Sequence, residues 1–147
     1  MNRYVSVMLG MLLLVSGIEA RAEQLKTFGD YSVHYSTFTT DMLTAEVARS
    51  YNISRSKNRA LLNISILKKV LDTNVKPVRA QVVASATNLS AQLKNLEIRE
   101  ISDQGAIYYI AEIPISDRET LNFNVEVTPE GETNTFTLTF QQQFFTN

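Results

Sequence analysis

Apolar and polar residues alternate in seven short segments along most of this chain. Leu62, Ile64 and Ile66, for example, are separated by Asn63 and Ser65. Because successive side chains of a β-strand point to opposite faces, each segment offers one apolar face to a core and one polar face to water. The pattern predicts seven β-strands, which include residues 31–35, 62–66, 80–86, 96–98, 107–113, 121–127 and 136–140.

Turn-forming residues separate these strands and indicate antiparallel hairpins. Residues 103–105, Asp-Gln-Gly, join the predicted fourth and fifth strands, and residues 129–131, Pro-Glu-Gly, join the last two. Residues 74–77 separate the second strand from the third. This arrangement predicts an all-β fold, an immunoglobulin-like antiparallel β-sandwich of about seven strands. A small closed barrel is the alternative, because it has the same pattern.

One segment departs from the two-residue period and predicts a short helix at about residues 42–51. Its apolar side chains recur at helical spacing, at Leu43, Val47 and Tyr51. Asp41 or Thr44 can cap its start, because their side-chain oxygens accept hydrogen bonds from the first-turn N–H groups. We expect this helix to pack over an end of a sheet.

The first 22 residues have the features of a secretory signal peptide. Arg3 precedes an apolar run over residues 4–18, and Ala-Arg-Ala at 20–22 matches the small-residue cleavage pattern. The run is shorter than the ~20 residues of a membrane-spanning helix, so a cleaved signal is favoured over a retained anchor. The predicted organisation is a cleaved signal peptide (1–22), a flexible leader (23–29) and a single domain (30–147).

Charge and cysteine content narrow the class of protein. The chain has no cysteine, and removal of the predicted signal peptide would leave 125 residues with 12 basic and 14 acidic side chains. Such a domain must depend on its apolar core rather than on disulfides, and no lipid-modified cysteine can anchor it. Its net charge of −2 argues against nucleic-acid binding and against a polybasic membrane-surface protein.

His34 is the only histidine and limits the catalytic possibilities. Ser32 and Ser36 share a face of its predicted strand but lie about 6.6 Å away along the chain. A nucleophile and its base must lie within about 3 Å of each other. A solvated or cross-strand-bonded histidine is therefore the better interpretation, and we predict no catalytic residue.

Metal and cofactor sites are not indicated either. One histidine and no cysteine give no zinc or transition-metal spacing. Asp103, Asp117 and Glu119 lie on predicted turns and give a weak calcium hypothesis, since acidic residues in turns mostly form the turn itself. We predict no metal site and no cofactor.

A basic stretch, residues 55–59, is the strongest candidate for binding. Three cations alternate in the loop before the second strand, and arginine forms bidentate pairs with carboxylates and phosphates. The alternative is a solvated loop that pairs with Glu97 or Glu100. The hypothetical site, for an envelope protein or a small anionic ligand, consists of Arg55, Lys57, Asn58, Arg59 and Tyr108.

Some apolar residues fall on the outer faces of the predicted strands. Leu61 and Leu67 lie on the side of the second strand that faces away from the core, and Tyr108 and Ile110 do so on the fifth. If these strands are neighbours, the helix at 42–51 covers the strip or a partner does. Cover by the helix is favoured, because monomers rarely expose large apolar patches.

Three of these segments resemble a bacterial family, number 4426 among the domains of unknown function. They are residues 55–65 (RSKNRALLNIS), 86–89 (ATNL) and 106–112 (AIYYIAE). The resemblance extends from about Phe28 to Phe145. It implies an exported, single-domain protein of the Gram-negative periplasm, with no activity, ligand or catalytic residue to carry over.

Three classes of function remain open. The favoured one is a non-enzymatic periplasmic module for binding or protein interaction, because the pattern contains a complete β domain and no catalytic set. The second is an envelope structural or assembly subunit that pairs through sheet edges, such as the long and nearly uncharged strand at 134–144. The third is a hydrolase that uses His34 with Asp103 or Glu112 from other strands.

Overall fold

The structure is a computed structural model that describes residues 23–147, so the predicted signal peptide lies outside the described residues. Within that range, no helix has the length and apolar character needed to span a membrane. The elements are β1 (Gln24–Phe28), β2 (Tyr31–Thr39), a 3₁₀ turn (Thr40–Met42), α1 (Ala45–Ser50), β3 (Arg59–Leu71), β4 (Asn74–Pro77), β5 (Ala80–Asn88), β6 (Leu93–Leu96), β7 (Arg99–Asp103), β8 (Ala106–Pro114), β9 (Thr120–Pro129) and β10 (Phe136–Gln143).

The strands form two antiparallel sheets, which confirms the predicted β-sandwich with one short helix. Sheet A has the order β1-β2-β3-β8-β7, and β4 extends it beside β3. Sheet B has the order β10-β9-β5-β6. The sheets have separate strand orders and do not close on each other, so the barrel alternative is wrong. The predicted hairpins at 103–105 and 129–131 are present as the β7–β8 and β9–β10 connections.

The structure corrects three sequence predictions, two of them at strands that lack an obvious alternation. Most of the predicted flexible leader at 23–29 forms β1, which pairs with β2 through a two-residue turn. Gly29 has φ +58° there, the conformation that glycine adopts without a side-chain clash. Residues 74–77 form β4 instead of a spacer, and they pair with the end of β3.

The third correction concerns the predicted fourth strand at 96–98. The chain instead leaves sheet B after β6 and enters sheet A at β7. Leu96 and Ile98 both pack against the space between the sheets, so this short segment connects the two layers. A segment that passes from one sheet to the other has the same apolar spacing as a strand within one sheet, so the pattern does not distinguish the two.

Inward-facing side chains of both sheets fill the space between them and form the main core. Its largest fully buried apolar side chains are Phe123, Leu62, Ile64, Ile66, Ile113, Leu121, Leu138, Val33, Val125 and Val127. Phe123 stacks on Phe140 with ring centroids 4.7 Å apart, and Phe28 of β1 stacks on Phe136 at the same distance. The β1 contact explains why the polar segment 24–28 is ordered.

Candidate functional site

A second apolar cluster lies on the outer face of sheet A, beneath α1. We call it the outer cluster. Its buried members are Ala48, Ile53, Leu61 and Ile110, and Phe38, Leu43, Tyr51, Ile101 and Tyr108 pack against them. The prediction that the helical segment covers the apolar strip is therefore confirmed for Leu61, Tyr108 and Ile110. Leu67 lies outside this cluster and pairs with Pro77 of β4.

Two threonines fix the conformation of the helical segment. Thr44 is the N-cap of α1, and its side-chain oxygen accepts a hydrogen bond from the Val47 backbone N–H at 3.2 Å. Thr40 is fully buried; its hydroxyl accepts from the Ser56 N–H at 2.8 Å and donates to the Ser54 carbonyl at 2.7 Å. Thr40 thus joins the start of the segment to the residues that follow α1, whereas the Thr44 cap acts within α1, which has only six residues.

Between α1 and the edge strand β7 runs a groove of about 630 Å³, which we call the α1–β7 groove. Its helix side includes Glu46, Val47 and Tyr51, and its strand side includes Arg99, Ile101 and Asp103. The walls combine apolar side chains with acidic ones. This arrangement suits a ligand that has both apolar and basic groups.

A hydrogen bond joins the two walls of the groove. The Tyr51 hydroxyl donates to the Asp103 carboxylate at 2.6 Å. This bond, with smaller contributions from burial and from the Asp103 charge, raises the pKa of Tyr51 to about 12. Tyr51 therefore stays protonated at physiological pH and keeps α1 against β7.

A carboxylate lies between two arginines on the same face of sheet A. Glu112 is 3.7 Å from the Arg59 guanidinium and 4.0 Å from that of Arg99. Both distances exceed a hydrogen bond, and the buried Glu112 Oε1 and Arg99 Nη2 atoms have no hydrogen-bond partner among the described residues. The contact is electrostatic, and it leaves an arginine donor unused beside the groove.

The basic stretch predicted for binding is largely engaged within the protein. Arg55 donates to the Asp41 carbonyl at 3.1 Å, and Arg59 pairs with Glu112 rather than with Glu97 or Glu100. Asn58 is part of a turn, in which its N–H donates to the Ser56 hydroxyl at 3.0 Å. Lys57 is exposed and forms no ion pair with the residues described. A ligand-binding role of these residues stays a prediction.

Tyr108, the fifth predicted site residue, packs against the outer cluster. Burial, with weaker contributions from the Glu23 and Asp103 charges, raises the pKa of Tyr108. The groove residues Glu46, Tyr51 and Asp103 were not predicted as a site. Tyr51 falls on the predicted apolar face of the helix and Asp103 in a predicted turn, and nothing in the sequence pairs them.

His34 does not meet the acids expected for a hydrolase. Its Nδ1 atom lies 2.8 Å from the Glu23 carboxylate, whereas Asp103 bonds Tyr51 and Glu112 lies near the two arginines. No side-chain hydroxyl within residues 23–147 forms a hydrogen bond with His34. The described part of the chain therefore gives His34 an acidic partner but no nucleophile.

The calcium hypothesis is wrong for the described residues, because its three acids have separate partners. Asp117 accepts from the Thr146 N–H at 2.9 Å, Glu119 lies 3.1 Å from the Lys94 ammonium, and Asp103 bonds Tyr51. Among residues 23–147, no group of three or more metal-ligating side chains is placed to hold an ion.

The fold and the groove define a β-sandwich domain with a helix-bordered sheet edge. Residues 25–147 match the family described as Domain of unknown function (DUF4426), so the chain belongs to that family, as the sequence segments indicated. No curated protein matches the chain.

The solved structures that resemble this fold include those of two bacterial proteins. A DUF4426 family protein of Pseudomonas aeruginosa PAO1, PA0388, is 39% identical with a TM-score of 0.73, over 84% of this chain and 94% of that one. FetP of uropathogenic E. coli strain F11 is 10% identical with a TM-score of 0.57, over the same shares. The second likeness concerns the fold alone.

Proposed function

We propose that this protein is a non-enzymatic, periplasmic protein-binding module that takes an extended segment of a partner along β7, in the α1–β7 groove. The observation that carries the proposal is the open edge of sheet A beside a formed groove. β7 is the last strand of its sheet and, among the described residues, pairs with β8 alone. Its other side offers unpaired backbone donors and acceptors, which an added strand can use.

The helix turns this edge into a site with side-chain specificity. Arg99, Ile101 and Asp103 alternate with residues 100 and 102, so they share the sheet face on which α1 lies. Alternate side chains of an added strand would meet Ile101, Val47 and Tyr51. The Glu46 and Asp103 carboxylates lie in the same groove against one arginine, so the segment that fits best has an apolar and a basic residue two positions apart.

A selection from a random peptide library, displayed on phage, tests this binding mode. We expect the selected peptides to carry an apolar residue and a Lys or Arg two positions apart, and to protect the β7 amides, residues 99–103, from hydrogen exchange. Ser50 is exposed and lines the groove, whereas Arg49 is exposed on the same helix and does not line it. Ser50→Trp should weaken binding at least about tenfold because the ring fills the groove, and Arg49→Trp should not.

A second pair of variants tests the preference of the groove for basic peptides. Glu46→Lys reverses a charge in the groove, and Glu126→Lys makes the same change on an exposed residue of sheet B. Glu46→Lys should weaken the binding of basic peptides, and Glu126→Lys should leave that binding unchanged. Equal affinity for all four variants, or protection of amides away from β7, would show that the groove is not the binding site.

The periplasmic location is supported by the signal-like residues 1–22. Fractionation of expressing cells, followed by mass determination of the intact protein, tests it. We expect the protein in the periplasmic fraction with Glu23 as its first residue. A cytoplasmic protein that keeps residues 1–22 would contradict this part of the proposal.

A second candidate function, self-assembly through a sheet edge, is favoured by β10. β10 ends sheet B and is longer than the edge strands β1, β6 and β7, and its eight residues Phe136–Gln143 include no charged side chain. Thr139→Lys adds a charge to this edge, and Gln81→Lys adds one to the central strand β5. Light scattering at high concentration should show oligomers that only Thr139→Lys removes; a monomeric wild type would contradict the assembly role.

A further inference from the structure

The tip of the β3–β4 hairpin exposes three large aliphatic side chains at one place. Val70, Leu71 and Val75 are 50%, 69% and 52% exposed. The pairing of β2 with β3 begins at Tyr31 and Lys68, and that of β8 with β3 ends at Ile64. The Lys69 N–H still donates to the Asp30 carbonyl at 2.8 Å, and beyond Lys69 the hairpin extends past the rest of sheet A as a ribbon of two strands.

Three lysines lie at the base of this tip. Lys68 and Lys76 lie directly opposite each other on β3 and β4, an arrangement in which like charges repel. Lys69 follows on β3, and Asp72 is the only acidic residue between Lys68 and Lys76. None of the three lysines forms an ion pair with another described residue; the Lys68 ammonium lies 5.3 Å from the Tyr31 ring centroid.

A cleft of about 380 Å³ adjoins the lysines. Lys68, Lys76 and Arg79 line it together with Tyr31 and Glu130. Arg79 has an acidic partner, Glu100, at 3.4 Å, and Glu130 is the one acidic residue among the described residues that line the cleft. The cleft therefore carries three cations against one lining acid, and a phosphate group complements that charge.

We propose that this end of the sandwich docks on an anionic lipid bilayer, with the aliphatic tip in the apolar layer and the lysine cleft on lipid phosphates. Apolar side chains surrounded by lysines are the pattern of reversible interfacial binding. The net charge of the predicted mature domain argued against a membrane-surface protein. The fold separates the charges, however, and concentrates unpaired lysines where the aliphatic side chains project.

Co-sedimentation with vesicles tests the docking. The protein is purified from expressing cells, and its N-terminus is confirmed by mass. It is mixed with vesicles of phosphatidylcholine alone or of phosphatidylcholine with phosphatidylglycerol. We expect binding to the anionic vesicles only, and we expect added salt to weaken it.

Two double variants examine the two parts of the site. Lys68→Gln with Lys76→Gln should weaken vesicle binding about 25-fold, since each lysine near an anionic surface accounts for about fivefold. Leu71→Ser with Val75→Ser should weaken it at least about tenfold. These residues are at the surface, so both variants should melt like the wild type.

Matched controls carry equivalent substitutions elsewhere. Val83→Ser with Leu89→Ser alters aliphatic residues that are 54% and 75% exposed, and Lys26→Gln with Arg49→Gln removes two exposed cations outside the proposed sites. Both controls should bind like the wild type. Equal binding to neutral and anionic vesicles, or equal losses in control and tip variants, would overturn the proposal. So would calorimetric binding of inorganic phosphate without vesicle binding, which would make the cleft a site for a free anion.

Discussion

The two apolar clusters of this domain differ in position, in size and in what they hold together. The main core fills the space between the sheets and includes side chains from most strands, whereas the outer cluster has four buried residues, one of which, Ala48, belongs to α1 itself. Two neighbouring leucines of β3 belong to different clusters: Leu62 points into the main core and Leu61 into the outer cluster. A single strand therefore contributes to both.

The two clusters have different roles: one stabilises the sandwich and the other forms the groove. A helix of six residues is too short to be stable by itself, so packing must hold α1 in place. The outer cluster supplies that packing, and the position of α1 defines one wall of the α1–β7 groove. We infer that the main core determines the stability of the fold and that the outer cluster determines the geometry of the site.

Loss of a main-core side chain should have the largest effect. Leu62 is fully buried, so Leu62→Ala removes apolar contacts and leaves a cavity in the main core. We expect a loss of about 4 kcal/mol in the free energy of unfolding, measured by urea denaturation. Hydrogen exchange should rise in both sheets together, because the variant lowers global stability.

The same substitution at the neighbouring residue should have a smaller and more local effect. Leu61 is 4% exposed and lies under the helix, at the margin of the fold, where the site can partly collapse. For Leu61→Ala we expect a loss of about 2–3 kcal/mol. Amide exchange should increase first in α1, Ala45–Ser50, while the strands of sheet B keep their protection.

Leu61→Ala and Leu62→Ala serve as controls for each other, since they make one change on opposite faces of one strand. The comparison between the clusters fails if both variants raise exchange in α1 and in sheet B to the same extent. In that event the outer cluster and the main core unfold as one cooperative unit. Peptide binding in the groove should likewise be more sensitive to Leu61→Ala.

The sequence predicts the main core better than the outer cluster for a physical reason. Alternation identifies strands that bury one face, so rows such as Leu121, Phe123, Val125 and Val127 are found from the pattern alone. β1 and β4 escape it because they are short and polar, and hairpin pairing with a longer strand stabilises them. β1 and β4 are therefore stabilised by the strands they pair with rather than by the pattern of their own residues.

The groove could be predicted in part only. The helix, the Thr44 cap and the cover over Leu61 and Ile110 follow from spacing and burial. Two other features depend on strand order, which no local pattern encodes. One is that β7 ends the sheet, and the other is that Tyr51 meets Asp103, 52 positions away in the sequence. The basic composition of residues 55–59 predicts a binding site, but Arg55 and Arg59 have partners within the protein.

The buried Thr40 hydroxyl tests how firmly the helical segment is attached. Thr40→Val keeps the shape of the side chain but removes the acceptor of the Ser56 N–H and the donor to the Ser54 carbonyl. We expect a loss of about 2 kcal/mol, because a buried N–H group then has no partner. Thr40→Ser, which keeps the hydroxyl, should lose less. Equal losses in the two variants would mean that the methyl group, not the hydrogen bonds, fixes the segment.

The smallest expected effect is at the groove itself, and it depends on pH. Tyr51→Phe removes the hydrogen bond to Asp103, so we expect a loss of about 1 kcal/mol near neutral pH. Tyr35→Phe is the control, since the Tyr35 hydroxyl forms no hydrogen bond within the described residues and its ring packs on Phe140. It should cost less than Tyr51→Phe.

The pKa of Tyr51 gives this contribution a defined pH window. Its ordinary value is 10.0, and the fold raises it to about 12. The folded protein therefore keeps the phenolic proton at a pH where the unfolded chain has lost it, so the stabilisation is complete below about pH 10 and is lost as the pH rises to about 12. Unfolding curves across this range should show a steeper loss for the wild type than for Tyr51→Phe, because phenylalanine has no proton to lose. Parallel curves would show that the Tyr51–Asp103 bond does not join the two walls in solution, and the outer cluster alone would then position α1 against β7.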